Sequence, residues 1–314
     1  QEEDIENIKN LLNQFHFSYG EINNDNAFFL ANSLVKYVEN LKMQNKLDHN
    51  FKLNFTSTFI PPNGDYQNFG IMAAIDHINA LKDLVKRFPK FADLPKIYGG
   101  GSYGGYLALL IAKIAPWYVD GVIDNSGSAV PPLNYIIGRE LEFESKDTNG
   151  DMYIQGNHFF VSCFLKTYWN RDENSPYFFA KENYLIRALL NKEHLIIQSE
   201  KNTNIFYVSY HSKYDPLTPC KFKIAYIESL QYLGYDATLH IIDENKIDGR
   251  FAKDLTHGMG IPDKALFRKE LPLMLEKLQK RKSFMQENSI SYPCGNKVFI
   301  FKDVGDKFEL TIKD

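Results

Sequence analysis

The stretch KIYGGGSYGGYLALLIAKI, residues 96–114, decides the fold of this sequence. It starts with a short apolar run at 96–98, passes through the glycine-rich residues 99–105, and ends in residues 106–114, which are apolar almost all round. A helix of that composition is buried rather than lying on the surface. The stretch therefore predicts a strand, a tight turn and a buried helix in direct succession.

Gly100, Ser102 and Gly104 in this stretch fit the G-x-S-x-G pattern of a nucleophile elbow. The turn is so tight that the serine must adopt a strained backbone, and side chains two residues on either side would collide with it or with the neighbouring strand. A flexible glycine loop and a phosphate-binding loop without the Walker lysine are the alternatives. The strand before the turn and the buried helix after it favour the elbow, with the Ser102 hydroxyl exposed at the carboxyl edge of a sheet.

Apolar periodicity predicts the elements around this stretch. We expect helices at 1–46, 69–85, 221–233 and 264–280, strands at 51–59, 119–123, 205–210 and 237–242, and a C-terminal β-hairpin from 297–301 and 308–312. Strands that alternate with helices predict an α/β fold, here an α/β-hydrolase, whose mostly parallel sheet has helices on both faces. The expected organisation is an N-terminal helical segment at 1–50, the hydrolase domain at 51–280, and a C-terminal extension at 281–314.

Residues 131–200 form an insertion that is dense in aromatic residues and lies before the strand at 205–210. Many α/β-hydrolases carry a cap at this point of the chain, so we interpret the segment as a helical aromatic cap. Tyr168, Trp169 and Phe178 are its predicted substrate-pocket residues, which would contact an acyl chain or a sugar face. The alternative is that these aromatic side chains form the cap's own core.

Two histidines are candidates for the base that a serine nucleophile needs. The chain order in this fold is serine, acid, histidine, and only His240 and His257 of the eight histidines come late enough. His240 lies inside an apolar strand, which is typical of a structural histidine. His257 lies in a loop between a strand and the last long helix, so it is the predicted base.

Asp215 is the predicted acid, because it directly follows the strand at 205–210 in a turn that two prolines make rigid. Asp124 is the reserve acid, since it also follows a strand and some hydrolases of this fold place the acid one strand earlier. The backbone N–H of Tyr103, the residue after the nucleophile, is the predicted oxyanion donor. The second donor is expected from a loop after an upstream strand.

Longer matches indicate a family. YQNFGIM at 66–72, AKIAPW at 112–117, VIDNS at 122–126, VSYHS at 208–212 and HGMG at 257–260 resemble an uncharacterised bacterial α/β-hydrolase-like family, whose members often lie in flagellin-glycosylation gene regions. GGSYGGYLA, with the histidine and aspartate motifs, also resembles prolyl-oligopeptidase-like and esterase serine hydrolases. The resemblance implies acyl-ester or acyl-amide chemistry through an acyl-serine intermediate, on an acylated carbohydrate as the small-molecule substrate.

Members of that family carry a further N-terminal portion. In this sequence only residues 51–59 offer a strand upstream of Ser102, whereas an elbow strand needs neighbours on both sides. We therefore expect a preceding segment, absent or on a separate chain, to supply the missing strands and the second oxyanion donor.

Three rival functions share this sequence: an acyltransferase on a sugar with the same triad, a peptidase, and a non-catalytic binding protein on a hydrolase scaffold. Composition and charge exclude several classes of partner. The net charge of −3, from 36 basic and 39 acidic residues, argues against nucleic acid as a partner. The longest apolar run, 106–112, is too short for a membrane span. Three widely spaced cysteines predict neither a disulfide framework nor a metal cluster, so we expect a cytoplasmic enzyme without cofactor or metal.

Overall fold

A computed structural model describes residues 2–60, 69–138, 152–279 and 287–314 of the chain. These residues fall into two compact units. The small unit comprises Gln1–Gln67 and Leu133–Phe178, and the large unit comprises Asn68–Pro132 and Phe179–Asp314.

Helices and strands alternate along most of the described chain. The helices are α1 (Glu2–Gln14), α2 (Ala27–Met43), α3 (Ile71–Arg87), α4 (Tyr103–Ile114), α5 (Leu133–Ile136), α6 (Lys181–Arg187), α7 (Lys192–Lys201), α8 (Cys220–Tyr232) and α9 (Asp263–Leu278). The strands are β1 (Leu53–Phe59), β2 (Ile97–Gly101), β3 (Gly121–Asn125), β4 (Met152–Gln155), β5 (Phe159–Leu165), β6 (Phe206–Ser212), β7 (Asp236–Ile242), β8 (Ser289–Cys294), β9 (Lys297–Val304) and β10 (Lys307–Lys313). None of these described helices combines the length and the apolar character that crossing a bilayer requires.

The large unit contains a four-stranded parallel sheet in the order β2-β3-β6-β7. Successive residues of a strand point to opposite faces. Val122 and Tyr207 accordingly pack in one core with α4 and α8, whereas Ile123 and Phe206 pack in a second core with α9. The prediction of a mostly parallel sheet with helices on both faces is confirmed.

Strand β2, which leads into the elbow, pairs with β3 and forms one edge of this sheet within the described ranges. The residues expected to lie on its other side, 51–59, form β1 of the small unit instead. Further strands on the β2 side therefore stay a prediction.

The C-terminal segment forms an antiparallel sheet in the order β8-β9-β10. The predicted hairpin corresponds to β9 and β10, and β8 adds a third strand that the sequence analysis missed. Tyr292 and Phe301 are fully buried in the core of the large unit. The carboxylate of Asp303 accepts hydrogen bonds from Lys82 Nζ at 2.6 Å and from the Tyr118 hydroxyl at 2.9 Å. The segment is thus built into the large unit rather than appended to it.

The small unit contains a three-stranded sheet in which β5 pairs in parallel with β1 and antiparallel with β4. The buried carboxylate of Asp4 on α1 accepts a hydrogen bond from Thr56 Oγ1 at 2.8 Å and so ties α1 to β1. The insertion at 131–200, expected to be helical, therefore contains two strands, and its helices α6 and α7 belong to the large unit. Residues 139–151 of the insertion lie outside the described residues, and the predicted domain boundaries stay predictions.

Candidate active site

Ser102 occupies the turn between β2 and α4, with φ 53° and ψ −117°. A positive φ is strained for any residue with a side chain, so the surrounding hydrogen bonds must hold it. The Ser102 N–H donates to Asn125 O at 2.7 Å, and its carbonyl accepts from Tyr106 N at 3.0 Å. The strand, the strained serine and the helix together form the predicted elbow, with Ser102 exposed at its tip.

Two glycines allow the elbow helix to approach the strand closely. A Cβ on Gly100 would lie 3.1 Å from the carbonyl carbon of Gly104, and a Cβ on Gly105 would overlap Asp124 Oδ1. Among the described residues, a Cβ on Gly104 would meet nothing within 4 Å. The expectation that a side chain at Gly104 must collide is therefore wrong, and the steric demand lies at Gly100 and Gly105.

His257 connects the nucleophile to the acid. It begins the 3₁₀ turn His257–Gly260, which lies between β7 and α9. Its Nε2 lies 2.8 Å from Ser102 Oγ, and its Nδ1 lies 2.8 Å from Asp215 Oδ2. In the tautomer that fits both contacts, Nδ1–H donates to the carboxylate and Nε2 accepts from the serine hydroxyl. Asp215, His257 and Ser102 thus form one hydrogen-bonded line.

The Asp215 carboxylate is buried in the turn after β6 and is fully hydrogen-bonded. Its Oδ1 accepts from the N–H groups of Leu217 at 2.9 Å and Thr218 at 3.0 Å, and its Oδ2 accepts from Thr218 Oγ1 at 2.9 Å. Burial alone would raise the pKa of Asp215, but the hydrogen bonds from His257 and Thr218 and the nearby histidine charges outweigh it, so its pKa is lowered. The carboxylate is therefore ionised at neutral pH.

A second buried histidine lies behind this acid. His211 on β6 has its Nε2 2.6 Å from Thr218 O and 3.6 Å from Asp215 Oδ2. Burial, followed by the charge of Lys223, lowers the pKa of His211 despite the hydrogen bond to Thr218 and the nearby carboxylates. His211 is thus neutral at neutral pH, and its Nε2–H donates to the Thr218 carbonyl.

The reserve acid, Asp124, has a different partner. Its Oδ2 lies 2.5 Å from Lys223 Nζ in an ion pair whose two side chains are at most 1% exposed, and its Oδ1 accepts from Gly127 N at 2.8 Å. The hydrogen bond that His257 Nδ1–H donates is accepted by Asp215 Oδ2 instead. In the structure, Asp215 therefore contacts the predicted base, and Asp124 pairs with a buried lysine.

Tyr103 is the first residue of α4, and the N–H groups of a helix's first turn have no partner within the helix. Its hydroxyl accepts from Gly70 N at 3.0 Å, and its ring centroid lies 5.0 Å from that of Phe69. The side chain is thus fixed against the start of α3 while the backbone N–H stays at the elbow. The expected source of the second oxyanion donor stays a prediction.

Tyr168, Trp169 and Phe178 all lie in the small unit. The ring centroid of Tyr168 is 5.5 Å from that of Tyr177, and Phe178 N donates to Ser175 O at 3.1 Å. These contacts are local to one loop of that unit. The substrate-pocket role of the three residues stays a prediction.

Cys163 and Cys294 are buried free thiols and Cys220 is a partly exposed one. Within the described ranges, no group of three His, Cys, Asp or Glu side chains is arranged to hold a metal ion.

The sequence analysis missed the residues that support the hydrogen-bonded series of Asp215, His257 and Ser102. These residues are Asn125, Ser126, Thr218 and His211. One signal was available. Asn125 is the last residue of the buried strand β3 and Ser126 follows it, so these polar residues lie at the same sheet edge as Ser102. Thr218 is three residues after Asp215 in the proline-rich turn, and a nearby threonine commonly hydrogen-bonds an aspartate there.

Comparisons with known proteins identify the family. A family model described as "Protein of unknown function (DUF2920)" matches residues 1–312, so the chain belongs to that family. No curated protein matches it.

Three solved structures that are similar to this chain are distant from it in sequence. An acylaminoacyl peptidase of Pyrococcus horikoshii is 15% identical with a TM-score of 0.39, over 71% of this chain and 30% of that one. A sugar hydrolase from Lactococcus lactis is 14% identical with a TM-score of 0.39, over 69% of this chain and 73% of that one. A butyrate-bound esterase of Thermogutta terrifontis is 13% identical with a TM-score of 0.36, over 74% and 84%. The chain thus spans less than a third of the length of the peptidase.

Proposed function

We propose that this member of the DUF2920 family is a serine hydrolase that cleaves an acyl ester or acyl amide through an acyl-serine intermediate. The observation that carries the proposal is the hydrogen-bonded line from Asp215 through His257 to Ser102, with 2.8 Å at each of the two steps that His257 makes. The strained elbow supports it, because it exposes the serine hydroxyl at the first turn of a buried helix.

In the proposed first half-reaction, Ser102 Oγ attacks the acyl carbonyl carbon while His257 Nε2 takes the hydroxyl proton. The positive charge that forms on His257 faces the ionised Asp215, and the negative charge that forms on the carbonyl oxygen faces the Tyr103 N–H. When the tetrahedral intermediate breaks down, His257 Nε2–H gives its proton to the leaving oxygen or nitrogen, and the acyl group stays on Ser102.

In the second half-reaction, His257 takes a proton from water, the resulting hydroxide attacks the acyl carbon, and Ser102 leaves with the proton that His257 returns. An O- or N-acylated sugar is the proposed substrate class, and the family resemblance is its support. If a sugar hydroxyl replaces water in this step, the same residues catalyse acyl transfer.

Labelling with a fluorophosphonate, followed by intact-mass measurement, tests the proposal. The wild-type protein should gain one phosphonyl group, and Ser102→Ala should gain none although it retains its fold. A panel of p-nitrophenyl esters and acylated sugars, with the products resolved by mass, separates hydrolysis from transfer. A folded wild-type protein that neither takes up the label nor releases acid from any ester would contradict the proposed function.

A further inference from the structure

The dipeptide Asn125–Ser126, at the carboxyl end of β3, contacts the turns that carry all three proposed catalytic residues. Both residues are buried, at 2% and 0% exposure. Asn125 O accepts from Ser102 N at 2.7 Å, which fixes the backbone of the strained elbow. Ser126 N donates to Tyr210 O at 2.9 Å and so anchors the dipeptide to β6.

The same two residues hold the turn of His257 from both sides. Ser126 Oγ accepts from Gly258 N at 3.1 Å, and Asn125 Nδ2 donates to Gly258 O at 3.2 Å. Ser126 Oγ–H in turn donates to Asn125 Oδ1 at 3.3 Å, which fixes which end of the amide faces Gly258. Met259 in this turn has φ 54°, a strained value for a residue with a side chain, so the bonds from Asn125 and Ser126 help to hold the turn that carries His257.

The third contact reaches the acid. Thr218 Oγ1 donates its single proton to Asp215 Oδ2 at 2.9 Å and lies 3.3 Å from Ser126 O, so the dipeptide packs against the turn that carries the acid. The elbow, the base turn and the acid turn come from distant parts of the chain. Asn125–Ser126 is a common reference point for all of them.

We infer that Asn125–Ser126 is a positioning element that sets the distances between Ser102, His257 and Asp215. The inference rests on the proposed function. Ser126 supports it by its backbone: φ is 59°, a strained value that glycine adopts freely, and yet a serine is there whose hydroxyl accepts the Gly258 N–H. The hydroxyl is what glycine at this position would lack.

Two substitutions of Ser126 separate positioning from stability. Ser126→Gly removes the hydroxyl and relieves the backbone strain, whereas Ser126→Ala removes the hydroxyl and keeps the strain. Ser209→Ala is the matched control, because Ser209 is a serine on β6 that is 1% exposed and whose hydroxyl has no hydrogen-bond partner among the described residues. The rate of fluorophosphonate labelling should fall about 10- to 100-fold in both Ser126 variants, since small misplacements of catalytic groups cost that much. It should stay near the wild-type rate in Ser209→Ala.

Thermal melting separates the two effects. The melting temperature of Ser126→Gly should be no lower than that of Ser126→Ala, and yet its labelling rate should be as low. A purely structural serine would instead lose rate only as far as it loses stability. If Ser126→Gly labels at the wild-type rate, the inference is overturned.

A second measurement is independent of activity. The His257 Nδ1 proton, shared with Asp215, should give a downfield ¹H NMR resonance, assigned by its loss in His257→Ala. This resonance should shift or broaden in both Ser126 variants and stay unchanged in Ser209→Ala. An unchanged resonance in Ser126→Gly overturns the inference even if the labelling rate falls. A wild-type protein that shows the resonance but takes up no label contradicts the proposed function alone. The change of the resonance in the Ser126 variants then still tests whether Asn125–Ser126 positions His257.

Discussion

Asp215→Asn should abolish most of the activity by reversing the tautomer of His257. The two N–H groups of Leu217 and Thr218 point at Oδ1, so the amide oxygen of an asparagine is held there and its Nδ2 replaces Oδ2. An amide N–H donor then faces His257 Nδ1 at the 2.8 Å contact. Nδ1 must become the acceptor, so the proton moves to Nε2, which can no longer take the proton of Ser102.

The loss expected from a wrong tautomer with intact geometry is about 10⁴-fold in kcat. Each tenfold step corresponds to about 1.4 kcal/mol, so the variant loses about 5 kcal/mol of transition-state stabilisation. Hydrolysis of a p-nitrophenyl ester under saturating substrate measures this directly, with KM expected to change far less than kcat. Far-UV circular dichroism and thermal melting check that the variant is folded.

Asp124→Asn is the matched control, because it makes the same chemical change one strand away. It removes the partner of a lysine that is 1% exposed, and breaking a buried ion pair costs about 3–5 kcal/mol of stability. We expect a lower melting temperature but a kcat, per folded molecule, within about tenfold of wild type, a change of about 1.4 kcal/mol. A folded Asp215→Asn that retains near-wild-type kcat, with an inactive Asp124→Asn, would show that Asp124 is the acid.

Ser102→Ala and His257→Ala should each lower kcat by about 10⁴-fold or more, and the double variant should be no slower than the slower single one, because the two residues act as a unit; multiplicative losses would argue against a shared step. Gly105→Ala should destabilise the protein by about 1–3 kcal/mol in chemical denaturation, because its Cβ overlaps Asp124. Gly104→Ala, whose Cβ meets no atom of the described residues within 4 Å, should be neutral or stabilising by up to about 1 kcal/mol. Burial lowers the pKa of Lys113 from 10.5 to about 7, so between those values the unfolded chain binds more protons and stability rises with pH. The stability of wild type relative to Lys113→Met should therefore increase from pH 7 to 10 by up to about 1.4 kcal/mol per pH unit, and a difference independent of pH would refute the shift.

The parts of the fold that the sequence predicted are those with a local signal. The apolar strand at 96–98, the glycines and the helix at 106–114 are contiguous, so the elbow could be read without tertiary information. The pairing of β1 with β5 could not, because it joins Leu53 to Phe159 across about a hundred residues and periodicity carries no information on partners. Strand β8 was missed because Pro293 interrupts its alternation, although a proline is tolerated in a strand at the edge of a sheet.

In the candidate site, too, local patterns predict some residues and miss others. Ser102, Asp215 and His257 follow from chain order and from their positions after strands, which local patterns supply. The partner of Asp124 does not, because Lys223 is 99 residues away and looks like an ordinary helical lysine in the sequence. The sequence made Asp215 the predicted acid and Asp124 the reserve, but the buried lysine beside Asp124 is visible only in the structure.

The charges behind the site explain why only one of these two carboxylates can assist the base. Lys223 pairs with Asp124, so a positive charge forming on His257 gains little from that carboxylate. Among the described residues, no lysine or arginine pairs with Asp215 in this way, although His211 Nε2 is only 3.6 Å from its Oδ2. A protonated His211 would compete with His257 for the same carboxylate and weaken its stabilisation of the transition state. Burial and the charge of Lys223 lower the pKa of His211, whereas the Asp124 carboxylate opposes that shift. Burial and Lys223 thus favour a neutral His211 and leave Asp215 available to His257.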